Sequence, residues 1–198
     1  SYNGSIVSNN YSMSLVRLIS DTIFTPLNSF TMQGWVNPSV LPGVNGSKLF
    51  YLGEGSVRNL HLQYLPSGHL EFNNWESAIS GSSYPAMTVL ASNSTVSPNL
   101  WTHISVVYEN QTLKLYINGL LDATSSVNLS IPQNGLITLA NHPWGSNQYL
   151  GLMDEFSIWD IALSQQEIQG HINCPAGGFL NLSGLVIYYN FEEGSGST

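Results

Sequence analysis

Charge is scarce in this sequence. Asp, Glu, Lys and Arg make up only 8% of it, against about a quarter in an ordinary globular chain. Bases are scarcer still: four Lys and Arg stand against twelve Asp and Glu, for a net charge of -8. Arg17, Lys48, Arg58 and Lys114 are scattered, so no basic cluster exists to neutralise phosphates, and nucleic-acid binding is excluded. An anionic membrane surface is disfavoured for the same reason. Cysteine is nearly absent too. Cys174 stands alone, which rules out an internal disulfide and a multi-cysteine zinc site. In "NCPAGG" it precedes a proline and reads as a small side chain in a turn. No apolar run approaches the ~20 residues of a membrane span, so membrane insertion is not expected. No secretory leader is read either, so the chain is expected to be mature or excised from a longer one.

With so few charges, the polar surface must come from Ser, Asn, Thr and Gln. A neutral, hydrogen-bonding surface suits a secreted or cell-surface protein. Seven Asn-x-Ser/Thr sequons begin at Asn3, Asn10, Asn45, Asn93, Asn110, Asn128 and Asn181. About four would arise by chance in so Asn- and Ser-rich a chain, so they argue only weakly for glycosylation. The acid excess favours cations such as calcium, or serves solubility alone.

What is present is period two. In "LWTHISVVYEN", alternation sets Thr102, Ile104, Val106 and Tyr108 on one face and Trp101, His103, Ser105 and Val107 on the other. "TLKLYINGLLDAT" sets Leu113, Leu115 and Ile117 against Lys114, Tyr116 and Asn118, and its Asn118-Gly119 is a strong hairpin signal. "YENQT" supplies another turn, and Pro66-Ser67-Gly68 a third. Further strands are read at "SFTMQGWV", "KLFYLG", "NLHLQYL", "HLEFNNW", "MTVLA", "GLITLAN", "YLGLMDEFSIW" and "GLVIYYNFEE". Only "SQQEIQGHI" reads as a helix, with Ser164 as N-cap and Glu167 closing a capping box. Many short strands with regular turns and one helix predict an all-β, two-sheet antiparallel β-sandwich. Residues 1–198 are expected to form a single domain, with 191–198 as a possible linker.

Three pieces, "FTMQGWVNPS", "LWTHISVVYENQTLKLYINGLL" and "GLMDEFSIWDIALSQQEIQGHI", together resemble laminin-G-like jelly-roll modules. These are concanavalin A-like and pentraxin-related, and their bacterial branch sits in multidomain surface proteins. The resemblance implies two antiparallel sheets, each of roughly six or seven strands. It implies a binding or adhesion role without catalysis, in one module of a longer extracellular chain. The closing run "LVIYYNF" is too apolar to leave unpaired, so it is expected to complete this sandwich rather than open a following one.

Some relatives in that superfamily are glycoside hydrolases, which carry acids at alternating positions of one strand. Retaining chemistry needs two carboxyls about 5–5.5 Å apart. No such run exists here, nor does a Gly-x-Ser-x-Gly elbow. The five His show no HxH or HExxH spacing for zinc. In "GLMDEFSIW", alternation groups Asp154 with Phe156 and Ile158 at the rim of the core and sends Glu155 the other way. A carboxylate there must be paired or hydrogen-bonded. Either it caps loop amides or it binds a structural calcium. The resemblance implies that such a calcium would draw on Asp154 with Glu193 and Asn3.

Carbohydrate binding needs an aromatic platform beside amides. Trp144 in "ANHPWGSNQYL" is the first candidate, with Asn141, His142, Asn147 and Gln148 around it. Trp75 in "EFNNWES" is the second, with Asn73 and Asn74. The alternative for either Trp is a ring folded over the sandwich edge. The expected partner is a glycan or an extracellular protein.

Overall fold

Alternation, the dominant signal of the sequence, is realised in a sandwich of two antiparallel sheets. The computed structural model describes residues 6–7, 29–53, 58–76, 87–129, 131–132, 136–142, 147–173 and 182–191, with the backbone alone at Ile6, Val7, Arg58, Trp75, Glu76, Met87 and Leu136. The first strands are β1 (Ile6–Val7), β2 (Ser29–Pro38), β3 (Ser47–Gly53), β4 (Arg58–Tyr64), β5 (Leu70–Glu76) and β6 (Met87–Ala91). Next come β7 (Thr102–Glu109), β8 (Thr112–Ile117), β9 (Leu120–Ser126), β10 (Leu136–Leu139) and β11 (Gly151–Trp159). Helix α1 (Gln165–Asn173) and β12 (Leu185–Tyr189) follow.

One sheet runs β1-β11-β2-β7-β8-β9, with β12 also paired to β11, and the other runs β10-β3-β4-β5-β6. Seven strands therefore face five among the described residues, one fewer in the second sheet than the smallest number implied by the resemblance. Inward positions fill the core: Phe30, Met32 and Val36 on β2, Ile104, Val106 and Tyr108 on β7, and Leu113 and Leu115 on β8. Facing them are Phe50, Leu52, Leu60, Leu62, Leu70, Phe72, Ile137 and Leu139. Phe50 joins the layers, its ring centroid 6.2 Å from that of Phe72 and 6.3 Å from that of Phe156. A second cluster, Val107, Tyr116, Trp159, Leu163 and Ile168, lies on the outer face of the seven-stranded sheet. There α1 packs, starting at the predicted capping box: Glu167 N–H donates to Ser164 Oγ (3.3 Å), and Ser164 N–H donates to Glu167 Oε2 (2.7 Å).

The hairpins follow turn chemistry. Asn118 and Gly119 have φ of 50° and 73°, the doubly left-handed turn that matches strand twist. Glycine is needed at 119 for a further reason: a Cβ there would stand 2.9 Å from Gln169 Cγ on α1. At "YENQT" the same turn is made by Asn110 and Gln111, with φ of 49° and 59°.

One expectation fails. The register of β11 against β2 shifts between Asp154 and Ser157, and Glu155 has φ of 52°. This is a β-bulge, and it resets the alternation. Met153, Phe156 and Ile158 all enter the core, whereas Asp154 opposes Trp35, and Trp35 in turn opposes His103. Opposed residues share a face, so Asp154 lies on the outer face and not with Phe156 and Ile158. Glu155 does not point away from it either. Its Oε2 accepts the hydroxyl of Tyr188, which opposes outer-face Ser157.

β12 pairs with β11 over Phe156–Trp159 and contributes Ile187 to the core, so the closing apolar run completes the seven-stranded sheet. β1 pairs with Met153 and Leu152. The two terminal strands thus lie end to end along β11, with the bulge between them.

Candidate functional site

The outer face of the five-stranded sheet is polar because β4 and β5 alternate. Leu60 and Leu62 point inward, which leaves Asn59, His61 and Gln63 outward, opposite Trp75, Asn73 and Glu71 in register. One row crosses all five strands: Thr138, Tyr51, His61, Asn73 and Thr88. Tyr51 stacks on His61 with centroids 6.3 Å apart, and His142 meets Tyr51 edge-on at 5.4 Å. A second row is a hydrogen-bonded ladder. Lys48 Nζ donates to Gln63 Oε1 (2.5 Å), Gln63 Nε2 donates to Glu71 Oε2 (2.9 Å), and Thr88 Oγ1 donates to the same oxygen (3.3 Å).

Burial tunes these groups. It lowers Lys48 to about 8, against the pull of Glu71, and raises Tyr51 to about 12. His61 falls to about 3, chiefly through burial, with Lys48 and His142 adding repulsion. Tyr51 is 1% exposed and Asn73 3%. Tyr51, His61 and Asn73 are thus buried on this face, while Thr88 at the β6 edge is exposed.

The open part lies beside it. Residues 40–47 and the stretch 147–150 form a groove of about 290 Å³. Gly46 N–H donates to Gly43 O, Lys48 N–H to Asn147 O and Ser39 N–H to Leu150 O, each at 2.9 Å. Asn147 itself has φ of 62°, a conformation that asparagine tolerates better than most residues. The lining joins the amides of Asn147 and Gln148 to the aliphatic side chains of Val40, Leu41, Val44 and Leu150.

The structure sorts the predicted site residues. Asn147 and Gln148 come together in the groove. Asn141 is buried and does not line the groove, its Oδ1 accepting His142 N–H (2.7 Å) and its carbonyl accepting Thr138 Oγ1 (2.9 Å). His142 packs on Tyr51, and Trp144 lies outside the described residues. Asn74 opposes the core residue Leu60 and donates to Asn59 O (3.3 Å). It therefore belongs to the inner side, and Asn73 is the amide on the outer face. Trp75 is placed by its backbone, opposite Asn59.

At the bulge, Asp154 Oδ1 accepts Glu155 N–H (2.9 Å), and Asp154 is only 7% exposed. Both bulge acids thus hold local structure. Among the described residues no group of three or more His, Cys, Asp or Glu is placed to hold a metal ion. Asn3 and Glu193 lie outside the described residues. No described helix is long and apolar enough to cross a membrane.

Sequence reasoning missed the row Tyr51, His61, Thr88 and Thr138 and the ladder Lys48, Gln63 and Glu71. Alternation in "NLHLQYL" and "HLEFNNW" carried that signal. The aliphatic groove wall left none, since "VLPGV" reads as any loop.

Known proteins resemble this chain at several levels. Human pappalysin-1 is 21% identical over 180 residues, 85% of this chain but 11% of the relative, so the chain spans about a tenth of the length of that curated protein. A heptameric SAP-like pentraxin from Limulus polyphemus superposes with a TM-score of 0.60 at 15% identity, covering 97% of this chain and 88% of the pentraxin. Domain 4 of an extracellular arabinanase from Geobacillus stearothermophilus, solved with arabinotriose, gives 0.61 at 16% identity, covering 86% of each chain. A laminin-G-type family model matches residues 12–169, most of the length, and the chain belongs to the concanavalin A-like lectin/glucanases superfamily.

Proposed function

We propose that this chain is a non-catalytic carbohydrate-binding module, taking a glycan in the groove between residues 40–47 and 147–150. The lining carries the reading: the amides of Asn147 and Gln148 stand beside exposed aliphatic side chains. A sugar ring has the same mixture, apolar C–H faces edged by hydroxyls that need partners. The arabinotriose bound by the arabinanase domain of like fold supports it. Glu71, Asp154 and Glu155 accept hydrogen bonds elsewhere, and no acid lines the groove among the described residues. The small share of pappalysin-1 matched supports one module of a longer chain, and the low charge supports a secreted or cell-surface setting.

A glycan array with the wild type, Gln148→Ala, Asn147→Gly and Trp144→Ala tests this. Glycine keeps the left-handed backbone while removing the amide. Binding is expected to fall about tenfold in each groove variant, the loss of one or two hydrogen bonds. Silence across the array, with capture of an extracellular protein, makes the chain a protein-interaction spacer instead. Binding untouched by the groove variants but lost in Trp144→Ala moves the site to that loop.

A structural calcium at the bulge is the second proposal. β1 and β12 flank it along β11, and in sequence Asn3 precedes β1 and Glu193 follows β12, each within a few residues. Asp154 and Glu193 would supply carboxylate oxygens and Asn3 an amide oxygen. A ligand bound only to the native state raises its stability, so the melting temperature should rise with calcium and fall with chelator. An unchanged melting temperature removes the ion.

A further inference from the structure

We infer that the groove is built for a neutral sugar bearing an acetamido group, an N-acetylhexosamine, in preference to a plain hexose or an acidic sugar. This rests on the carbohydrate reading above and narrows it.

Charge comes first. None of the described lining residues is charged. Lys48, the cation next to it in sequence, sends its Nζ to Gln63 on the outer sheet face. The whole chain carries -8. A carboxylated sugar would lose water with no cation to compensate, and it would approach an acidic protein.

The walls come next. Val44 is 93% exposed, and Val40 and Leu41 about half exposed. Hydroxyls laid against them would lose water without gaining a partner. A methyl group gains instead, and burying one is worth roughly fourfold in affinity. Then the amides: Gln148 and Asn147 each offer donors and an acceptor. An acetamido group presents one N–H and one carbonyl beside its methyl. Methyl to the aliphatic wall and amide to the side-chain amides therefore uses both halves of the lining together. The backbone bonds across the groove, from Lys48 and Ser39, and the turn bond from Gly46 to Gly43 within one wall hold it before any ligand arrives. Little ordering cost then remains to be offset by binding.

Calorimetry with matched saccharides tests the inference. Three share one β-1,4-linked trisaccharide backbone: the tri-N-acetylated chitotriose, cellotriose and fully deacetylated chitotriose. Sialyllactose adds an acetamido group with a carboxylate. Acetylated chitotriose should bind at least about tenfold tighter than cellotriose and tighter than the other two. Val44→Asn, a change at an exposed position, and Gln148→Ala should each shrink that ratio toward one, with circular dichroism unchanged. Equal binding of acetylated chitotriose and cellotriose overturns the acetamido preference and leaves the carbohydrate reading standing. Tightest binding of sialyllactose or of the deacetylated sugar overturns it on charge. A positive array with none of the four bound overturns this inference alone. A silent array with none bound overturns both.

Discussion

Thr31 carries more structure than its size suggests. It is fully buried on β2. Its Oγ1 donates to Ile161 O (2.8 Å) and accepts Leu163 N–H (2.9 Å). One hydroxyl thus fixes the segment between β11 and α1 against the seven-stranded sheet. Thr31→Val keeps the shape and leaves two buried backbone groups without that partner. The cost should be about 1–3 kcal/mol, read as a lower denaturation midpoint with an unchanged slope. A variant as stable as the wild type would show that the segment finds other partners.

At the scale of elements, α1 shows a local signal and tertiary contacts acting together. The capping box pairs Ser164 with Glu167, and the hydrogen bonds that the Glu167 carboxylate accepts from Ser164 N–H and Oγ–H hold it below its usual range. Beyond the cap, Ile168 is buried, Gln33 Nε2 and His171 Nδ1 share a 2.8 Å hydrogen bond, and the His171 ring stacks on Trp159 at 5.0 Å. Gln169 also donates to Gly119 O (3.0 Å). Losing the cap should therefore weaken the helix without releasing it. Ser164→Ala should cost about 1 kcal/mol, roughly 2–4 °C of melting temperature for a chain of this size, and leave the fold intact. A much larger loss would mean that the cap, and not the packing, holds α1 in place.

Across the whole molecule, the outer faces of both sheets bury imidazoles. Burial lowers His61 and His103 to about 3, with His171 adding repulsion at His103. Unfolded, each would titrate near the ordinary imidazole value of about 6.5. Below 6.5 the unfolded chain binds protons that the native chain refuses. Their contribution is therefore fully present above 6.5 and is lost progressively as pH falls toward 3. Urea midpoints at pH 7, 5.5 and 4 should decline across that window, and His103→Gln should flatten the decline. An undiminished slope in that variant would assign the acid sensitivity to other groups.

The strand order in sequence, the hairpin at Asn118-Gly119, the capping box and the sorting of β7 and β8 residues onto two faces followed from the sequence by itself. Each is a matter of neighbours along the chain: two-residue alternation, a left-handed pair, a side chain three residues from its partner. The bulge in β11 did not follow, because nothing in "GLMDEFSIW" shows that Gly34 across the sheet lets Phe156 approach. A Cβ at residue 34 would stand 3.2 Å from Phe156 Cα. That one register shift moved Asp154 to the outer face and brought Glu155 to Tyr188. The groove is of the same kind. Asn147 and Gln148 could be picked out as amides, but their aliphatic wall comes from about a hundred residues earlier. The pairing of β2 with β11 and of β3 with its neighbours, with the bonds from Ser39 N–H to Leu150 O and from Lys48 N–H to Asn147 O, brings the two stretches together. Local pattern set the strands and turns, and long-range packing alone decided which side chains meet, since contacts between distant segments leave no period in the chain.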